Sequence, residues 1–308
     1  MIIDSQLEQR WALCRDGQLL VDSSHPLRMY LGVSQDENKQ LFIFTPQSID
    51  HVKSSSAIKV VNGINGEKSY LIIELLNPFL TKEFVYLCVD LIENSRGCAT
   101  EKESLKTLLD SFNKWQQLFD MTSQSLLSIA EIKGLLGELL FIESELMSGK
   151  AAENVVMAWM THKDAARDFI YDDSWYEIKT VNSTSDYVMI SSMEQLDHAN
   201  EGVLVVYMID RKSSSNEATF TLPSIATHVE NLISRPIDVA ELRKKLLSKG
   251  YIYHHEYDDI YFELNDQKKY NVIASFPRVK RDSVPEQVLN AKYELSIEGI
   301  NDWLIREE

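Results

Sequence analysis

Arg167-Asp168-Phe169-Ile170-Tyr171-Asp172-Asp173-Ser174-Trp175-Tyr176-Glu177-Ile178-Lys179 is the stretch on which the reading of the chain turns. Phe169 to Tyr171 is a short apolar run. Asp172-Asp173-Ser174 has the composition of a tight turn, and Trp175 to Val181 alternates as a strand does. Alternation puts Trp175, Glu177 and Lys179 on one face, successive members roughly 7 Å apart. If the two runs pair as a hairpin, Asp168 lies across from the Glu177–Lys179 end, and two carboxylates meet one ammonium. Magnesium takes oxygen ligands and only one or two carboxylates, leaving positions for water and phosphate. Asp168, Glu177 and the Ile178 carbonyl suit it as ligands. Lys179 would orient the attacking water or offset charge on a phosphate.

The surroundings extend the pattern. Leu105, Leu108, Leu109, Phe112, Trp115 and Phe119 recur at helical steps. A second helix starts at Leu126 and ends near Gly149, with a broad apolar face from Ile129 to Ile142. Asn154 to Trp159 reads as a strand or an approach to one. Ser191 to Ala199 reads as a helix capped by Ser191 or Ser192, and Val203 to Ile209 as a strand buried on both faces. Residues 1–100 read as mostly β, with runs at 28–33, 40–44, 70–75 and 83–89 separated by Asp36-Glu37-Asn38, Asn62-Gly63 and Asn77-Pro78. No chemistry is evident there. Arg211 to Asn216 is a polar boundary, followed by helices from Pro223 and over 238–249 and β-like runs at 259–264, 270–276 and 291–297.

Asp168…Glu177-Ile178-Lys179 is similar to the signature of the PD-(D/E)XK nuclease superfamily, over about residues 126–210. Within it the chain most resembles the bacterial group known simply as PD-(D/E)XK motif proteins, found among restriction and phage-defence genes. The resemblance implies an α+β or α/β fold: a restriction-endonuclease-like core of helix, three strands, helix and strand, its mixed sheet flanked by helices. It implies three regions, a β-rich recognition or assembly domain (1–100), the nuclease-like core (101–215) and an α+β C-terminal extension (216–308). It also implies a metal-dependent endonuclease acting on double-stranded DNA with Mg²⁺, or Mn²⁺ in its place, within a defence system. A homodimer and an operon-encoded helicase or methyltransferase are the implied partners. Family nucleases often add a Glu on the first core helix. Gly134-Leu135-Leu136-Gly137-Glu138 looks like that element, two glycines allowing close approach to the sheet and Glu138 joining the metal ligands; a solvated helix Glu is the alternative. Gln195 is similar to a polar residue that relatives place near the scissile phosphate. Arg167 stands where the motif's Pro would be. The competing reading is a catalytically silent scaffold that binds DNA or partner proteins.

The net charge of -16 argues against DNA binding over the whole surface, but not through a local patch. Residues 151–215 hold 11 acidic against 5 basic side chains, whereas 237–281 hold 9 basic against 7 acidic. No apolar run reaches the roughly 18 residues of a membrane span. The amino-terminal residues lack signal-peptide character, and Cys14, Cys88 and Cys98 form no zinc pattern, which together suggest a cytoplasmic protein. His162, His198, His254 and His255 have no convincing ligand spacing. The adjacent pair would point to opposite faces of a strand. Arg278-Val279-Lys280-Arg281 beside Phe276 is either a nucleic-acid contact or a solvated basic turn. No glycine-rich phosphate loop is present.

Overall fold

A computed structural model describes residues 4–14, 17–50, 52–55, 57–121, 126–161 and 166–306, with the side chains of residues 79 and 117–121 left aside. The chain forms two compact units, Met1–Ser125 with Arg243–Ile252, and Leu126–Leu242 with Tyr253–Glu308. It is a mixed α+β fold with several sheets and, among the described residues, seven α-helices.

The first unit holds α1 (Asp4–Ala12), β1 (Leu19–Leu20), β2 (Arg28–Val33), β3 (Lys39–Thr45), β4 (Ile58–Asn65), β5 (Lys68–Leu75), α2 (Thr81–Arg96) and α3 (Glu101–Met121). Its antiparallel sheet has the order β1-β2-β3-β5-β4. Alternate residues Leu41 and Ile43, and Leu71 and Ile73, enter one core with Leu7 and Trp11 of α1 and Phe84, Leu87 and Leu91 of α2. Two expectations fail here. Residues 83–89 are helical, because Phe84, Leu87, Cys88, Leu91, Ile92 and Ser95 bury one 3.6-residue stripe. With residues 83–92 buried almost throughout, the apolar run shows no clear helical period in sequence. Asn62-Gly63 lies inside β4, with the Tyr70 ring over Gly63; the chain turns instead at Gly66, whose φ of 64° favours glycine.

The second unit holds α4 (Ile129–Met147), α5 (Ala152–Ala158), β6 (Phe169–Ile170), β7 (Trp175–Val181), β8 (Tyr187–Ile190), β9 (Gly202–Lys212), β10 (Thr219–Phe220), α6 (Leu222–Leu232), β11 (Tyr261–Val272) and β12 (Tyr293–Ser296). Between α6 and β11 runs α7 (Pro236–Ser248), whose residues from Arg243 group with the first unit. The main sheet has the order β10-β11-β9-β7-β6; β7 and β9 are parallel and the other neighbours antiparallel. Strand β8 leaves that sheet and pairs with β12.

Ser128 starts α4 with a capping box, its hydroxyl accepting the Glu131 amide while Glu131 reaches back. The helix then runs antiparallel along one face of β7. The Phe141 ring meets that of Tyr176 at 4.8 Å, Gly137 sits over Ile178 and Thr180, and Lys133 Nζ donates to Asn182 Oδ1 at 2.7 Å. From Phe141 to Lys133 the helix advances eight residues, about 12 Å, while the chain from Tyr176 to Asn182 advances six, so the contacts fix the antiparallel direction of the two elements and not an even spacing of rungs.

Other expectations are corrected. Residues 154–158 lie in α5 and form no strand, while Trp159, just past it, makes an isolated bridge to Phe169 and so only approaches one. Residues 191–199 hold a single 3₁₀ turn, Met193–Gln195; Ser192 precedes it without a side-chain cap bond, and the Ser191 amide donates to Gln195 Oε1 instead. The runs at 259–264 and 270–276 overlap a single long strand, β11, which ends at Val272 and is bulged between Leu264 and Asp266. Residues 187–190, not expected as a strand, form β8 outside the main sheet.

Of the two glycines on α4, only Gly137 permits a close approach. A Cβ there would lie 2.5 Å from Thr180 Cγ2, whereas one at Gly134 meets nothing within 4 Å. Gly137→Ala is therefore expected to cost about 1–3 kcal/mol, and Gly134→Ala to add about 0.5–1 kcal/mol. Urea denaturation of both variants measures the contrast; equal effects would refute the close packing.

Candidate metal centre

Strand β6 pairs with β7 only at Phe169↔Tyr176 and Ile170↔Trp175. Beyond Tyr176, that edge of β7 is left without a strand. Asp168, just ahead of β6, fills part of the gap: its Oδ2 accepts the Ile178 amide at 2.8 Å. In an extended residue the N–H and C=O leave on the same edge. The Ile178 carbonyl therefore faces the Asp168 side, as a third protein ligand would need.

Glu177 and Lys179 lie on the face of β7 away from α4. Lys179 Nζ is 2.7 Å from Glu177 Oε1 and donates to Gln195 Oε1 at 3.2 Å. The amine and the acid thus share one side of the sheet. Gln195, on the 3₁₀ turn, is anchored by the Ser191 amide at 2.7 Å. Glu138 is buried on α4 and accepts the Trp159 indole N–H, so it is no solvated helix carboxylate.

The electrostatics centre on Glu177, which is only 1% exposed. Burial pushes its carboxyl well above the ordinary range; the negative charge of Asp168 pushes the same way, Lys179 opposes it, and Glu138 adds a further upward push. Its Oε2 has no hydrogen-bond partner. A buried, unsatisfied oxygen among like charges is costly unless a cation is shared. These are all oxygen donors of the kind a hard divalent ion takes: the carboxylates of Asp168 and Glu177 and the Ile178 carbonyl could hold one, and Glu138 lies near enough to act on Glu177.

Arg167 has a larger part than the motif suggested. Its guanidinium lies 4.9 Å from the Trp175 ring centroid and donates to the carbonyls of Glu194 and Asp197 at 2.7 and 2.8 Å. It ties the segment bearing Gln195 to the start of β6. Nothing in the sequence marks this, because a carbonyl acceptor has no side-chain signature. Trp159, the partner of Glu138, was equally hidden within a segment read as a strand.

The remaining candidates fall elsewhere. Asp172 and Asp173 are exposed in the β6–β7 turn. Phe276 is buried against Trp303, so it offers no stacking surface to a base. The Arg278 guanidinium is taken by the Ile273 carbonyl, and that of Arg281 by the carbonyls of Pro285 and Val288. His198 accepts the Asn200 amide, and His162 lies outside the described residues. His254 and His255 do not point apart, since they enter a 3₁₀ turn (His255–Asp259) rather than a strand; their ring centroids are 4.3 Å apart. With Glu256 they are, among the described residues, the one trio of such side chains whose ligand atoms all lie within 4.8 Å, and the acids around Glu177 are spread more widely.

The model of a family described as "Putative PD-(D/E)XK family member, (DUF4420)" matches residues 7–298. No curated protein and no solved structure matches the chain.

The raised Glu177 carboxyl sets a pH dependence. The folded chain holds a proton there that the unfolded chain releases, so the group's stabilisation is full below its ordinary range, about pH 4.3, and is lost as pH rises toward the folded value. Without metal, Glu177→Gln should therefore melt higher than the parent at pH 8, and the gap should close by about pH 4. Melting curves in EDTA across that range test this. A Gln variant that is less stable at every pH would refute it.

Proposed function

The chain belongs to that PD-(D/E)XK family, and from that premise we propose that it is a metal-dependent nuclease that hydrolyses DNA phosphodiester bonds, with its active centre at the open edge of β7. The superfamily generally comprises phosphodiester hydrolases, and its enzymes typically use divalent metals. The observation that carries the reading is the buried Glu177 carboxylate, one oxygen paired with Lys179 and the other unpartnered, next to an Ile178 whose amide is held by Asp168.

Asp168, Glu177 and the Ile178 carbonyl would hold Mg²⁺ or Mn²⁺, with Glu138 in support. When bound, the ion supplies a more acidic water and a polarised phosphoryl oxygen. The chain's own groups do the rest. Lys179 is held by Glu177 and Gln195 so that its ammonium stays in place, where it orients the nucleophile or offsets charge building on the phosphate. Gln195 is in turn fixed through Ser191 and through the turn that Arg167 ties down, so it acts as a positioning residue. On this reading, α4, β6, β7, β8 and β9 constitute the nuclease core, and the β-rich first unit serves recognition or assembly. A place in a restriction or anti-phage system, with a helicase, a methyltransferase or a second copy as partner, is part of the same proposal.

A silent scaffold is the competing reading. Three acids within electrostatic reach of one another oppose it, because a scaffold gains nothing from burying Glu177 beside Asp168 and Glu138. Cleavage of plasmid and linear DNA with Mg²⁺ or Mn²⁺ separates the two. Asp168→Ala and Lys179→Ala are each expected to lower the rate by about 10²–10³-fold or more. Cleavage that survives both substitutions would remove the site from consideration, and a folded parent with no cleavage under either metal would favour the scaffold.

A further inference from the structure

A cleft of about 310 Å³ lies along β7 beyond the carboxylates. Lys179, Thr180, Val181 and Asn182 form its floor, α4 contributes Lys133, and β8 supplies Tyr187 at the rim. Two of its lining residues are cationic and none is acidic. In a chain of net charge -16, that local balance is the opposite of the whole.

We propose that this cleft is a second phosphate subsite, in which the Lys133 ammonium binds the backbone of one nucleic-acid strand next to the phosphate held at Lys179. The inference rests on the nuclease reading and names the part of the substrate that the site grips.

Three observations support it. Lys133 is not a freely swinging surface lysine: it is half-buried on α4, one turn before Gly137, whose backbone packs closely on Ile178 and Thr180 of β7. Its Nζ donates to a neutral acceptor, Asn182 Oδ1, at 2.7 Å, and among the described residues no carboxylate lies within ion-pairing distance of it. Burial pushes its pKa down, and only the more distant Asp210 opposes this. Asp210 is itself engaged by the Ser183 amide and hydroxyl and by Asn265. A half-buried ammonium with a neutral partner is under-compensated, and a phosphate oxygen would supply the missing charge. At about 310 Å³ the cleft has room for a phosphate and its sugar. Tyr187, 46% exposed at the rim, offers a face on which a base of any identity could stack.

The test uses the full chain carrying Asp168→Ala, so that binding is read without cutting, and labelled single-stranded and duplex oligonucleotides in fluorescence anisotropy across a salt series. Adding Lys133→Ala should weaken binding about tenfold for every sequence and lower the salt slope by about one ion. Lys133→Arg should restore most of the affinity. Asn182→Asp, at an exposed position, should weaken binding comparably by placing a negative charge beside Lys133, and it keeps the test open if Lys133→Ala fails to fold. An unchanged affinity and slope in folded Lys133→Ala, or in Asn182→Asp, would overturn the subsite and leave the nuclease reading intact. A parent that cleaves DNA in Mg²⁺ while binding it without salt dependence would overturn the subsite too. A parent that neither binds nor cleaves would remove the nuclease reading and this inference with it.

Discussion

The 2.8 Å bond from the Ile178 amide to Asp168 Oδ2 is the contact on which the centre depends. Strand β6 is only two residues long, so β7 loses its neighbour after Tyr176. An unpaired, partly buried amide would follow if nothing took the place of the missing strand. Asp168 takes it with a side chain. That choice brings one carboxylate to the edge where Glu177 and the Ile178 carbonyl already lie. The placing of that carboxylate thus arises from an ordinary requirement, the satisfaction of a backbone donor.

Around that bond the chain accumulates charge it would otherwise avoid. Glu177 is buried with an unpartnered oxygen and feels both Asp168 and Glu138. Lys179 offsets part of this and is itself steadied by Gln195. Local stability is spent on keeping acids together, a cost that makes physical sense where a cation resides for part of the protein's life. The close contact at Gly137 is the other half of the arrangement, because it brings α4, and with it Glu138, against β7.

Much of this was legible in the sequence, for identifiable reasons. Strands β7 and β9 announce themselves by alternation and by an apolar run, and the tight turn at Asp172-Asp173-Ser174 fixes the hairpin between β6 and β7. The same spacing predicts neighbouring positions for Asp168, Glu177 and Lys179; in the structure Asp168 bonds the Ile178 amide and Lys179 pairs with Glu177. What escaped depends on contacts distant in sequence. Residues 83–89 are apolar on so many faces that strand and helix look alike until the buried stripe is seen. The 191–199 segment lacks the helix it was expected to form because Gln195 spends its side chain on the Ser191 amide, and Arg167 holds the segment through carbonyls. The departure of β8 to join β12 joins residues about a hundred positions apart, which no local pattern encodes.

That pairing of β8 with β12 has a bearing on how the molecule can be divided. Val188 and Ile190 of β8 share a core with Trp175 of β7 and with Leu295 of β12, and the same core takes in Leu196, beside Gln195. The acids themselves occupy a short span of sequence, but the wall behind them is completed by a segment near residue 295. A contiguous fragment cut around the motif would carry these acids and leave behind the strand that backs them. The centre is compact in space and scattered along the chain, and it can be moved to another protein only with both of its distant pieces.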